Sequence, residues 1–219
     1  MATIIDLPAD VGWWECLFDP VSPRNLERME GRRTEADKFG TPYWRAVYRS
    51  TALTPLQMGQ LEAFLMQCGD GGEVFRAYDA SRPRPIEYET ADHAPLSGVR
   101  AAGGAFNGTA TITARTATSL TVSGLPANFQ FRAGDYVEVR KTAALISLHR
   151  IVSDVQASAG GFATLPIRYA LDLQAFTPPL TANFEKPACL MQVVAGSVDA
   201  SKPLVERRGS FSAEEVFVP

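Results

Sequence analysis

Histidine and cysteine are both scarce in this chain of 219 residues. It has two histidines, His93 and His149, and three cysteines, Cys16, Cys68 and Cys189, which lie far apart and form no Cys-x-x-Cys pair. An odd number of widely spaced cysteines does not make a disulfide framework, and so few potential ligands do not make a zinc site. The composition therefore predicts free, buried thiols in a reducing cytoplasm and no bound metal.

The chain also has neither a strong charge of one sign nor a long apolar run. Its 21 basic and 24 acidic residues leave a formal net charge of −3, which creates no field that would recruit nucleic acid or an anionic membrane. No segment approaches the roughly 18 apolar residues of a membrane span, and the N-terminus lacks the basic and apolar regions of a signal peptide. We expect a soluble protein without membrane insertion or specific nucleic-acid binding.

Catalytic motifs are missing as well. Nucleophilic sites usually need a histidine base, and no Gly-x-Ser-x-Gly elbow accompanies the two histidines present. His149 lies in an apolar run, where a structural role is favoured, and Gly69-Asp-Gly-Gly follows a helix instead of preceding one, so it cannot cradle a phosphate at a helix start. The many carboxylates are more typical of a solvated face than of a glycosidase pair. The sequence predicts no enzymatic activity and no cofactor.

One helix is well specified, over residues 54–69. Thr54 is a good N-cap, Pro55 suits the first helical position, and Gln57 is placed to close a capping box. Apolar side chains then recur at helical spacing until Gly69 ends the pattern; they are Met58, Leu61, Phe64, Leu65 and Cys68. This pattern predicts an amphipathic helix of about four turns that packs on a sheet.

The remaining sequence is typical of short strands separated by Gly, Pro, Asn and Asp. Alternation predicts strands near residues 12–18, 44–50, 73–79, 189–194 and 210–218, with a second strand or hairpin arm at 28–35. Five more, at 110–114, 119–123, 135–140, 145–152 and 162–167, predict a small barrel or sandwich that ends near 177–183.

A loose connection over residues 90–108 predicts a domain boundary. We therefore expect a discontinuous first domain, residues 1–98 with 184–219, and an inserted small barrel at residues 99–183. The predicted fold class is mainly β with one packed helix.

Two sets of side chains are candidates for binding surfaces. Adjacent Trp13 and Trp14 must point to opposite faces of a strand, so one of them needs cover from outside its own core. Arginines interleaved with carboxylates nearby indicate a solvated hairpin face or an ion-paired interface between subunits. The candidate interface residues are Arg24, Arg28, Arg32, Arg33, Trp13 and Trp14. Small barrels that bind saccharides need exposed aromatic side chains, and the candidates are Phe129, Phe131, Tyr136, Phe162 and Tyr169.

The order of these elements resembles one protein family. Phe39-Gly-Thr-Pro-Tyr-Trp-Arg-Ala-Val-Tyr, the capped helix ending Leu61-Glu-Ala-Phe-Leu, and Gly69-Asp-Gly-Gly-Glu-Val-Phe-Arg-Ala-Tyr-Asp resemble the ring-forming domain of distal tail proteins from long-tailed, non-contractile phages and gene-transfer-agent particles. Phe131-Arg-Ala-Gly-Asp-Tyr-Val-Glu-Val is similar to the small barrel, often of OB type, nested in some of them. The likeness covers residues 10–90 well and the remainder loosely.

The resemblance implies a structural virion component at the tail tip, made in the bacterial cytoplasm. It implies a homohexameric ring of β-sandwich or barrel type that connects the tail tube protein to a hub, baseplate or receptor-binding fibres, and that meets tape-measure or fibre proteins. Two alternatives remain open at this point: another tail component, such as a tube, terminator or minor tail protein, or a carbohydrate-binding adhesion module that uses the inserted barrel.

Overall fold

The structure is a computed structural model that describes residues 4–28, 34–69, 73–90, 93–200 and 207–217. Its first strands and its helices are β1 (Ile4–Asp6), β2 (Trp13–Val21), β3 (Arg24–Arg28), β4 (Thr34–Lys38), β5 (Tyr43–Ser50), α1 (Pro55–Cys68), β6 (Val74–Tyr78) and a short 3-10 helix (Ile86–Tyr88). The later strands are β7 (Gly98–Val99), β8 (Ala105–Phe106), β9 (Thr109–Arg115), β10 (Ser119–Ser123), β11 (Gln130–Phe131), β12 (Tyr136–Arg140), β13 (Ile146–Ile151), β14 (Val155–Gln156), β15 (Phe162–Arg168), β16 (Leu180–Asn183), β17 (Ala188–Val193) and β18 (Ser210–Glu215).

The fold is mainly β with a small closed barrel, which confirms the predicted class. The chain divides into two compact units, residues 1–75 with 191–216, and residues 76–190 with 217–219. Both borders within the chain fall inside strands, β6 and β17, which are neighbours in one sheet. Apart from residues 217–219, the second unit is therefore one continuous stretch, residues 76–190, that begins and ends in two paired strands.

An open sheet of six strands, in the order β1-β6-β17-β18-β5-β2, joins β1, β2, β5 and β18 of the first unit to β6 and β17, the two strands that the unit borders divide. Strand β5 alternates as predicted: Trp44, Ala46 and Tyr48 are buried, whereas Arg45 and Arg49 are exposed. The strand β2 pairs with β5 from Trp13 to Val21 and has no second neighbour among the described strands, so it forms one edge of the sheet.

Helix α1 begins and ends as the sequence predicts. The Thr54 side chain accepts a hydrogen bond from the Gln57 backbone, and the Gln57 side chain accepts one from the Thr54 backbone, which completes the capping box. All five predicted apolar side chains are buried. Phe64 contacts Phe75 and Phe211, with ring centroids 5.2 and 5.8 Å apart. The helix therefore packs on the sheet.

The barrel of the second unit closes through six antiparallel strands, in the order β10-β15-β13-β12-β16-β9. Five of them lie where the sequence predicts strands. The sixth, β16, falls in the stretch 177–183 that was expected to leave the barrel, because the Pro178-Pro179 pair before it is typical of a loop. Six strands are one more than the five of an OB fold.

The stretch before the barrel is not a loose connection. The Ile86 backbone N–H donates to Asp135 at 2.9 Å, and the Tyr88 ring stacks on Phe129 at 4.2 Å between centroids. Leu96 and Phe106 are buried in the barrel's apolar core. These contacts assign residues 76–98 to the second unit, whereas the sequence predicted borders at 98/99 and 183/184. That residues 99–183 fold as a separate domain stays a prediction.

Candidate functional site

The edge strand β2 carries a β-bulge at the tryptophan pair. Trp13 pairs with Ser50 and Glu15 with Arg49, so Trp14 is an extra residue in the ladder. The Trp13 ring packs on Tyr48 at 5.2 Å and on Phe211 at 5.8 Å, whereas 57% of Trp14 is exposed. Bulges at sheet edges commonly redirect a side chain. The prediction that one tryptophan of the pair lacks cover is confirmed, and the residue is Trp14.

Trp14 lines a shallow groove on the first unit. One part, of about 330 Å³, is formed by Trp14, Thr51, Ala52 and Arg208. An adjoining part of about 230 Å³ shares Trp14 and Arg208. It adds Arg49 and Ser50 of β5, Ser210 of β18, its neighbour Gly209, and Asp199, which forms an isolated bridge with Ser210. The groove combines one large aromatic face with charged and hydroxyl groups.

Gly209 fixes one wall of this groove. A Cβ atom at that position would lie 2.4 Å from the Leu61 side chain, so only glycine lets the chain pass this close to helix α1. The Gly209 backbone N–H donates to the Ser50 hydroxyl at 2.8 Å. These contacts hold the start of β18 against the end of β5, next to the exposed Trp14.

The same side of the edge strand carries charges and one exposed leucine. Glu15 accepts a hydrogen bond from Arg49 at 2.6 Å, and Arg45 lies 3.6 Å from Glu214 across the sheet. Leu17 is 46% exposed between them on β2. Surface ion pairs of this kind contribute little to folding stability. They do give the face a fixed pattern of charge around an apolar side chain.

A hairpin arm follows β2 directly. Strands β3 and β4 form a separate two-stranded sheet, from the pair Arg24 and Lys38 to the pair Arg28 and Thr34. The described side chains on and just after the arm are exposed; they are Arg24, Asn25, Glu27, Asp37, Lys38 and Phe39. A two-stranded hairpin alone is marginal in water, which is a reason to expect a partner for it.

The predicted interface residues fall into three groups. Arg24 is exposed on the arm, and Trp14 is exposed on the adjoining edge strand. Trp13 is half-buried, and its ring packs on Tyr48 and Phe211, so its part in an interface stays a prediction. Arg28 pairs through its backbone with Thr34, and its side chain lies outside the described part, as do Arg32 and Arg33 altogether.

The predicted aromatic surface of the barrel is largely wrong. Phe129, Phe131 and Tyr136 are 4%, 0% and 3% exposed, so all three belong to the interior. Phe129 and Phe131 are two residues apart and therefore lie on one side of the chain, with Gln130 on the other. Phe162 is 55% exposed and Tyr169 is half-buried. Phe162 is the one fully exposed aromatic of the predicted set.

Polar groups inside the second unit are bound to one another. Glu138 is fully buried and accepts hydrogen bonds from the Asn183 side chain, the Ala188 backbone and the Arg140 side chain. The Tyr136 hydroxyl donates to Asp79 at 3.1 Å. Sequence reasoning missed both groups, because a single glutamate within the apolar run Tyr136–Val139 gives no sign of its partners. Both groups join segments of the second unit through buried hydrogen bonds.

The two histidines lie in different surroundings, one buried and one on the surface. His149 is 2% exposed and its Nδ1 atom lies 2.9 Å from the Tyr169 carbonyl oxygen. Burial lowers the pKa of His149 to about 4, so the ring is neutral at neutral pH. His93 lies on the surface, 2.6 Å from Glu89. Within the described ranges no group of three or more His, Cys, Asp or Glu side chains is arranged to hold a metal ion.

Glu215, near the end of β18, is the described carboxyl with the clearest change in acidity. It accepts a hydrogen bond from the Trp44 backbone N–H at 3.0 Å. Burial raises the pKa of Glu215 to about 7, and this hydrogen bond opposes the rise. The carboxyl joins the last strand to β5, so its charge bears on the stability of the open sheet.

Comparison of the chain with protein-family models and with curated proteins gave no match. In the described part of the chain, no helix has the length and apolar character needed to cross a membrane.

Proposed function

We propose that this protein is a structural component that assembles into a closed ring, with its open sheet as the building element. The observation that carries the proposal is the uncovered edge strand β2, on which Trp14 and Leu17 are 57% and 46% exposed. A free strand edge pairs readily with another chain, and exposed apolar side chains on it mark a contact surface.

The sheet has two different free edges, which favours a ring over a symmetric dimer. Strand β1 lies at one end of the described sheet and β2 at the other. Pairing of β2 in one copy with β1 in the next is a heterologous contact, and such contacts generate closed rings when the rotation closes. A continuous sheet around the ring leaves no edge free.

The resemblance to distal tail proteins supplies the proposed setting. The strand, capped helix and strand over residues 43–78 are the elements that carry it. In this setting the ring is a homohexamer at the tip of a phage or gene-transfer-agent tail. It connects the tail tube protein to a hub, baseplate or receptor-binding fibres, and the protein resides in the virion after synthesis in the host cytoplasm. Tape-measure or fibre proteins are further partners in the same proposal. A tube, terminator or minor tail protein is the nearest alternative.

The adhesion alternative now depends on one residue. Saccharides bind flat, exposed aromatic faces, and of the predicted barrel residues Phe162 alone is fully exposed. The residues on which the proposed ring depends, Trp14 and Leu17 of the edge strand β2, belong to the first unit instead. We therefore place the structural role first.

The test is the mass and symmetry of the purified protein at high concentration, by native mass spectrometry and electron microscopy. We expect six-fold rings, lost in Trp14→Ala and retained in Phe162→Ala, a matched control that removes an equally exposed aromatic from the barrel. A wild-type protein that stays monomeric at every concentration, with no six-fold arrangement in a particle, would contradict the proposal.

A further inference from the structure

The hairpin arm has two faces of opposite charge. Directly paired residues of an antiparallel hairpin share a face, and successive pairs alternate between faces. Arg24 pairs with Lys38, which makes one face basic. Asn25 pairs with Asp37 on the other face, and Glu27 lies two residues further along that same face, which makes it acidic.

These charges lack ion-pair partners among the described residues. Arg24, Glu27, Asp37 and Lys38 are all exposed, and none of them forms an ion pair with another described residue. Like charges directly opposite each other, such as Arg24 and Lys38, destabilise a strand pair. The arm is also a two-stranded sheet without a third strand. An opposite charge from outside would relieve the repulsion that the arm carries by itself.

We propose that the arm of one copy binds the arm of the next copy, with the basic face of one against the acidic face of the other. The inference rests on the proposed ring, and it identifies the arm as the element that sets the direction of assembly. Each arm offers one basic and one acidic face, so every copy in a ring receives one neighbour on each face. The arm also follows the edge strand β2 directly, so the two contacts are continuous along the chain.

The charge pattern favours a second copy in head-to-tail order over a two-fold dimer and over nucleic acid. A two-fold dimer that placed identical faces together would bring Arg24 and Lys38 against their own copies, and like charges in contact oppose binding. Nucleic acid would match the basic face alone and would be repelled by Asp37 and Glu27. A second copy in head-to-tail order is the partner that uses both faces.

The experiment reverses each face in the full-length protein. One variant carries Arg24→Glu with Lys38→Glu, and the second carries Glu27→Lys with Asp37→Lys. A third variant carries all four changes, which exchanges the two faces and leaves the net charge of the wild type unchanged. Ring formation is measured by native mass spectrometry for each variant and for an equal mixture of the first two, with far-ultraviolet circular dichroism as the check on folding.

Each single-face variant should need a protein concentration at least about tenfold higher than the wild type to form the ring, because both faces then carry the same sign. The mixture and the four-change variant should recover it, since opposite faces meet again. The wild-type ring should weaken as salt rises, because exposed charges are screened over about 8 Å at 0.15 M salt.

The possible failures are distinguishable. If the wild type forms rings and the single-face variants form them equally well, the arm contact is wrong and the ring stands. If the variants lose the ring and neither the mixture nor the four-change variant recovers it, the arm binds something other than its own copy, and the inference is overturned. If the wild type forms no ring under any condition, the proposed function and this inference fail together.

Discussion

The barrel and the open sheet each have six strands, but only the barrel is without a free edge. In the barrel, Phe129 and Phe131 point inward and Glu138 is bound by three donors. In the first unit, Trp14 is left outside by a bulge on an edge strand, and a hairpin arm extends from that strand. The barrel closes its own sheet, whereas the open sheet ends in β1 and β2, which have one neighbour each among the described strands.

The largest effect should come from breaking the barrel's core. Phe131→Ala should lower the free energy of unfolding by about 3–5 kcal/mol, because it removes a fully buried ring that contacts Phe129 and Phe184 and leaves a cavity. The control Phe162→Ala should change it by less than about 0.5 kcal/mol, since that side chain is exposed. Chemical denaturation of the three proteins measures both values. Equal losses in the two variants would mean that the aromatic side chains are not divided between core and surface in this way.

A smaller, pH-dependent effect should sharpen the comparison within the open sheet. The pKa of Glu215 is raised to about 7, so the folded state binds its proton more tightly than the unfolded state does. Protonated Glu215 therefore contributes to the free energy of unfolding. This contribution is fully present below the ordinary pKa of 4.5 and is lost as the pH rises through about 7. The loss should be on the order of 1–3 kcal/mol.

Glu215→Gln keeps an acceptor for the Trp44 N–H and removes the charge. Thermal melts from pH 4 to pH 9 should show that the melting temperature of the variant increases relative to that of the wild type as the pH rises. A difference between the two proteins that does not vary with pH would show that the carboxyl does not titrate in this range.

The smallest effect should be a gain in stability at Gly59, within helix α1. A Cβ atom at this position would meet nothing within 4 Å, and the residue is exposed. Gly59→Ala should therefore stabilise the fold by about 0.5–1 kcal/mol, because glycine loses more backbone entropy than alanine in a helix. A melting temperature of Gly59→Ala below that of the wild type would indicate that this side of α1 contacts a partner. Met66→Ala, at another exposed position on the helix, is the control.

Local patterns allowed much of the fold to be predicted from the sequence. The cap at Thr54 and the spacing of Leu61 and Leu65 define a helix without reference to the rest of the chain. The strand β16 was missed because its place in the barrel depends on pairing with β9 and β12, which are distant in sequence. The surface aromatics were misplaced because alternation tells which residues share a face but not which face is buried. That one of the two tryptophans lies outside the core could be predicted, because two adjacent residues on a strand do not face the same core; that it is Trp14 could not.

Hydrogen–deuterium exchange at low and high protein concentration tests most directly the claim that the sheet is completed by other copies and the barrel is not. At high concentration, the amides of β2 and of the arm from Arg24 to Lys38 should become protected. Those of the barrel strands β12 and β13 should exchange at the same rate at both concentrations. Unchanged exchange in β2 and the arm, or new protection confined to the barrel, would contradict the account.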